Sequence, residues 1–277
     1  MPGVGIFNAL YGLGENLILR IPRDHPAFLA ALAKEPLAVP VARAAGVRTP
    51  SLVDYDDSRT LLPVPYTIYE RVHGDTFGLM PGDPVASPPV WQELGADLAR
   101  LHLGVGSDSP VAGLACEQLP GGVELAEHLG ERGMVGAAEV HWLGGWLERL
   151  DALAGQRPSV FVHGDIQSTN VMLIDGSYAA LLDWGACGWA DPAVDFAGIP
   201  LRAVPALLSG YAAAGAGVDT GLRAAIVRRH LLIGLFLAHR TPQPGLSWAE
   251  RPLGVLLDVL RFTSAAPAEW RDVGPPR

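Results

Sequence analysis

Short apolar blocks separated by polar turns fill the first seventy residues, whereas most of the remaining chain repeats its apolar positions at helical spacing. Residues 7–11 and 16–21 predict two strands around the turn Gly12-Leu13-Gly14. Residues 27–43 carry a helical stripe interrupted by Pro36 and Pro40, which predicts a helix before Pro36 and a second or irregular helical piece after it. Residues 49–55 and 66–72 predict two more strands, on either side of a polar turn at Asp56-Asp57-Ser58.

Beyond Gly74 the pattern changes. Ser87-Pro88-Pro89 is a helix start, and Trp91, Leu94, Leu98, Leu101 and His102 continue it as an apolar stripe. Residues 137–153, 205–214, 222–239 and 253–262 predict further helices. One interval departs from this rule. Residues 160–162 form an apolar strand, and residues 171–174 and 178–182 flank the turn Asp175-Gly176-Ser177 as a β-hairpin. The expectation is an α+β chain of two lobes, a sheet lobe over residues 1–72 and a larger, mainly helical lobe over residues 73–277.

The hairpin carries the candidate chemistry. Its open ends bring together Asn170 and Asp183, and Asp165 lies on the loop that precedes it, in His163-Gly164-Asp165-Ile166-Gln167-Ser168-Thr169-Asn170. A carboxamide oxygen and a carboxylate at one point suit Mg²⁺, which prefers oxygen donors. Asp165 is then available to accept a proton from an attacking hydroxyl. Taken singly, each of these residues also reads as an ordinary turn or strand-end residue.

An Asp, an Asn five residues on, and a second Asp beyond a hairpin follow the catalytic order of kinases. With His-Gly-Asp for His-Arg-Asp and Asp-Trp-Gly for Asp-Phe-Gly, the chain resembles the aminoglycoside phosphotransferase family, which is related to macrolide and choline kinases. The resemblance implies a two-lobed protein-kinase-like fold, with ATP or GTP as phosphate donor and Mg²⁺ as cofactor. It makes Asp165 the catalytic base and Asn170 and Asp183 the metal ligands. Gly3 and Gly5 become the loop over the phosphates, Arg20 the cation that grips the α- and β-phosphates, and Glu35 its helix-borne partner. The adenine edge of the nucleotide would bond the backbone near Glu70 and Val72, while His163 and Asp195 support the catalytic loop. In the family a strand precedes the glycine loop, whereas this sequence opens at the loop itself, so the expectation is either a start assigned too far downstream or a sheet that lacks its first strand.

Composition narrows the partners. A net charge of −9 without a basic run excludes nucleic acid as a natural partner and favours a cationic acceptor. No apolar run is long enough to span a membrane, and no basic segment introduces a signal peptide, so the expected location is the cytoplasm. Cys116 and Cys187 have neither metal nor disulfide spacing. Lys34 is the single lysine, so Arg20 holds the phosphates or nothing does. The expected reaction is phosphoryl transfer to a hydroxyl of a small molecule, best an aminoglycoside or related antibiotic. A macrolide, another natural product and a choline-like metabolite stay open, as does a nucleotide-binding regulator that transfers nothing. Nothing in the sequence sets an oligomeric state.

Overall fold

In the computed structural model, which describes residues 3–4, 7–238 and 251–276, the first alternating blocks become an antiparallel sheet. Its strands are β1 (Gly3–Val4), β2 (Asn8–Leu13), β3 (Leu17–Pro22), β4 (Leu52–Asp56) and β5 (Tyr66–Glu70), in the order β1-β2-β3-β5-β4. The strand expected to be missing is present as a two-residue stub. Gly3 and Val4 pair with Leu10 and Ala9, which corrects the expectation of an absent first strand. Gly5, expected in the phosphate loop, lies outside the described residues.

Two helices follow β3, α1 (Pro26–Leu32) and α2 (Glu35–Ala44). Pro36 occupies the first turn of α2, where a backbone N–H is not needed, so it starts the second helix. The Ala38, Val39 and Ala42 side chains of α2 are fully buried.

The strands β6 (Asp75–Thr76), β8 (Val171–Ile174) and β9 (Ser177–Leu181) form a second sheet, and β7 (Val160–Val162) pairs with β10 (Gly188–Ala190). Between β8 and β9, Asp175 and Gly176 have φ of 50° and 78°. Two successive positive φ values make a tight hairpin turn whose twist matches the strands, and Asp-Gly is a pair that adopts it readily.

The remaining helices are α3 (Pro88–Gly104), α4 (Gly122–Glu131), α5 (Ala137–Ala154), α6 (Val204–Ala213), α7 (Thr220–Leu237) and α8 (Pro252–Ser264). The sequence reading did not assign α4, although Leu125, Ala126 and Leu129 give it a buried stripe. No helix of the described residues is long and apolar enough to cross a membrane. The apolar stretch near residues 231–238 instead supplies the buried Leu231, Leu232 and Leu235 of α7.

The chain divides into two compact units. One joins Met1–Pro81, Asp97–Cys116 and Val160–Ala190, and so holds all three sheets. The other joins Gly82–Ala96, Glu117–Ser159 and Asp191–Arg277, and its core is built from α4, α5, α7 and α8. The expected division at residues 72 and 73 follows the chain, whereas these units are discontinuous in sequence and the β8–β9 hairpin belongs to the same unit as the N-terminal sheet.

Candidate functional site

Strand β7 delivers the chain into His163-Gly164-Asp165. Gly164 has φ of 87°, and a Cβ there would lie 2.3 Å from the Ala186 carbonyl oxygen, so no larger residue fits this backbone. His163 is fully buried. Its Nδ1 accepts from the Asp165 N–H at 3.2 Å and its Nε2 donates to the Leu182 carbonyl at 2.9 Å, the pattern of a neutral ring protonated on Nε2. The imidazole also meets the Trp184 ring edge-on at 4.7 Å. His163 thereby joins the loop to the end of the hairpin.

Asp165 is ringed by amides. Gln167 Nε2 donates to Oδ1 at 2.5 Å, and Asn170 Nδ2 donates to Oδ2 at 3.2 Å and to the Asp165 carbonyl at 2.9 Å. The backbone holds Asn170 in turn: its N–H donates to Gln167 O at 2.9 Å and its carbonyl accepts from Leu182 N–H at 2.8 Å. Burial pushes the Asp165 carboxyl above the usual carboxylate range, and the charge of Asp183 adds to the rise, against the pull of Gln167 and Asn170.

Asp183 follows the hairpin with φ of 68° and ψ of 77°, a left-handed conformation that an Asp tolerates better than a branched residue. Its Oδ1 accepts from Arg20 Nη2 at 2.6 Å, and Arg20 Nη1 donates to Glu35 Oε1 at 2.6 Å. Tyr69 donates its hydroxyl to Glu35 Oε2 at 2.5 Å. With its amide oxygen turned inward, Asn8 accepts from Arg20 Nη2 at 2.8 Å and Nε at 3.0 Å. Burial works against ionisation of Asp183, but the charge and hydrogen bond of Arg20 outweigh it and hold the carboxyl below its ordinary value. Glu35 has no exposed surface, and burial pushes it up to about 7 despite Arg20. Burial disfavours the Arg20 cation, yet Glu35 and Asp183 together hold it more firmly protonated than a free guanidinium.

The structure thus brings Asp165, Asn170, Asp183, Arg20, Glu35 and His163 into one unit. Glu70 closes β5 with its N–H donating to Ser51 O at 3.0 Å. Val72 lies just beyond, in the wall of an open groove of about 820 Å³ shared with Arg43, Arg48, Arg71 and His73, which contains none of the network residues. Gly3 is part of β1. Asp195 lies in the other unit, fully buried in a 3-10 turn at Pro192–Phe196, where its charge, after burial, helps push the Tyr211 hydroxyl up to about 12.

Asn8, Tyr69 and Gln167 were not singled out by sequence. Gln167 had a signal, since an amide two residues after Asp165 in a tight loop faces it locally. Tyr69 and Asn8 had none, because their partners come from distant elements. Lys34 is also explained: Nζ donates to Ala115 O and Cys187 O, both at 2.8 Å, so it ties backbone together and leaves Arg20 as the cation of the network.

The donor set fits a hard cation. The Asn170 amide nitrogen is engaged on Asp165, which leaves its oxygen, with the Asp183 carboxylate, as the groups that would hold Mg²⁺. Among the described residues no cluster of three or more His, Cys, Asp or Glu could hold a metal.

The sequence pattern of the phosphotransferase enzyme family matches residues 8–226. No curated protein matches the chain by sequence. Among solved structures, the GDP complex of aminoglycoside 2'-phosphotransferase-IIIa is similar at a TM-score of 0.69 and 16% identity, over 94% of this chain and 91% of that one. The choline/ethanolamine kinase family protein from Mesorhizobium loti gives 0.65 at 17% identity, over 99% and 90%. Macrolide 2'-phosphotransferase MphH from Brachybacterium faecium gives 0.64 at 19% identity, over 100% and 92%.

Proposed function

The chain belongs to the phosphotransferase enzyme family, and from that premise we propose that it moves the γ-phosphoryl group of ATP or GTP to a hydroxyl of a small molecule. The observation that carries this reading is the pairing of Asp165 with Asn170 on one loop, next to an Asp183 held by Arg20. The acceptor hydroxyl gives its proton to the Asp165 carboxylate as its oxygen bonds to phosphorus, and the bond from phosphorus to the nucleoside diphosphate breaks. Gln167 and Asn170 orient the two carboxylate oxygens so that one lone pair faces the acceptor. Arg20 steadies the α- and β-phosphates, with Glu35 behind it. Mg²⁺ on Asn170 and Asp183 would neutralise charge on the phosphates. Gly3 flanks the phosphates, the nucleobase lies near Glu70 and Val72, and His163 supports the loop.

The acceptor is best read as an aminoglycoside or related cationic antibiotic, modified in the cytoplasm where nucleoside triphosphates are available. Net charge and the aminoglycoside enzyme among the similar structures support this choice. A macrolide or a choline-like compound is the second reading, supported by the other two similar structures. Incubation with ATP or GTP, Mg²⁺ and a panel of such acceptors, read by mass spectrometry, tests it. A phosphorylated acceptor is expected, and Asp165→Ala should lower its rate of formation by about a thousandfold or more. Nucleotide bound without product from any acceptor would instead indicate a regulator.

A further inference from the structure

Glu35 stands at the start of α2 with no exposed surface, and each of its oxygens has one donor from the sheet. Arg20 holds Oε1 at 2.6 Å and Tyr69 holds Oε2 at 2.5 Å. The register explains why these two meet one carboxylate. Tyr69 of β5 is paired with Ile18 of β3, and Arg20 lies two residues along from Ile18. Residues two apart on a strand share a face, so Arg20 and Tyr69 are diagonal neighbours on the side where Glu35 lies. Glu35 cannot turn without breaking one of the two bonds.

We propose that Tyr69 is a positioning residue that fixes Glu35 and, through it, the Arg20 guanidinium in the orientation that grips the donor's phosphates. Tyr69 also precedes Glu70, so one side chain ties the phosphate end of the site to the strand leading into the base-binding segment. This inference rests on the reading of the site as a nucleotide site. Two carboxylates compete for Arg20, since Asp183 accepts from it at 2.6 Å as well. Without the hydroxyl, Glu35 Oε2 is buried and unpartnered, and the group takes up a proton more easily. A neutral Glu35 anchors Arg20 poorly, and the guanidinium moves to Asp183, the carboxylate meant for the metal. Arg20, Asp183 and Tyr69 are the titratable and charged groups facing Glu35, and burial already brings it to about 7.

Tyr69→Phe keeps the ring and removes the hydroxyl. Two readouts follow it: the Arg20 Nε–H resonance, assigned by its loss in Arg20→Lys, and the dissociation constant of a fluorescent ATP or GTP analogue between pH 6 and 9. The Arg20 resonance should broaden, and nucleotide binding should weaken by about tenfold at neutral pH, the scale of one hydrogen bond to a charged group. The weakening should shrink as pH rises and Glu35 ionises again. In a Glu35→Gln background, which by itself should broaden the same resonance, Tyr69→Phe should add little. An unchanged Arg20 resonance, a penalty flat with pH, or additive effects of the two substitutions would overturn the proposal. If the unaltered protein binds no nucleotide, the functional reading fails, and the Arg20 resonance still decides whether Tyr69 positions it.

Discussion

Asp165 and Asp183 are both half-buried carboxylates of the same unit, yet their surroundings differ in kind. Asp165 is held by neutral amides two and five residues away, and Asp183 by a guanidinium 163 residues away. Amide donors are too weak to offset desolvation, so the acidity of Asp165 falls. A full opposite charge does offset it, so Asp183 stays a strong acid. The two surroundings suit the two duties proposed above, one carboxylate to take a proton and one to remain an anion beside a cation.

The largest effect should come from breaking the distant half of this comparison. Arg20→Ala leaves Glu35 and Asp183 facing each other without their shared cation, with Glu35 fully buried. Removing one partner of a buried ion pair costs about 3–5 kcal/mol, and denaturant melts should show a loss of that order. Adding Glu35→Gln should restore part of it, because one uncompensated charge disappears. A single variant as stable as the parent would mean that the Arg20 ion pairs do not stabilise the fold.

The local half breaks at Gly164. Gly164→Ala places a methyl group against the Ala186 carbonyl at a positive φ, a strain of about 1–3 kcal/mol. Stability should fall less than for Arg20→Ala. The rate of transfer should fall by about a hundredfold, since Asp165 is displaced. Thermal melts beside turnover rates separate the two effects. Full activity would show that Asp165 does not depend on this backbone.

The smallest test sharpens the contrast without altering the chain. A proton acceptor must be ionised, and a raised carboxyl is protonated at higher pH than usual. The rate of transfer should therefore decline as pH falls through a value above the ordinary carboxylate range, while Asp183, lowered, remains ionised across it. A profile of kcat/KM against pH checks this. An acid limb at or below the ordinary range would reverse the assignment of Asp165.

The same difference governs what the sequence could reveal. The hairpin was readable because its determinants are local: two apolar runs and an Asp-Gly turn whose residues both take positive φ. The order Asp165, Asn170, Asp183 was readable because it is fixed along one short stretch. The partnership of Arg20 with Glu35 came only from resemblance, and the Tyr69 hydroxyl had no signal, because it depends on how β5 pairs with β3 and where α2 lands. The first strand was missed because two residues carry no periodicity. The helix α4 was not assigned, although Leu125, Ala126 and Leu129 give it a buried stripe at helical spacing.

Lys34 spends its ammonium on two backbone carbonyls, and no other lysine exists in the chain. The cation shared by Glu35 and Asp183 is a guanidinium, which does not acylate under conditions that modify amines. Acyl-phosphate nucleotide reagents, which report kinases by transferring a tag to the lysine that grips the phosphates, would find no nucleophile at that position. Such a reagent would leave this protein untagged at that position, so its absence from a labelled gel would be no measure of its amount.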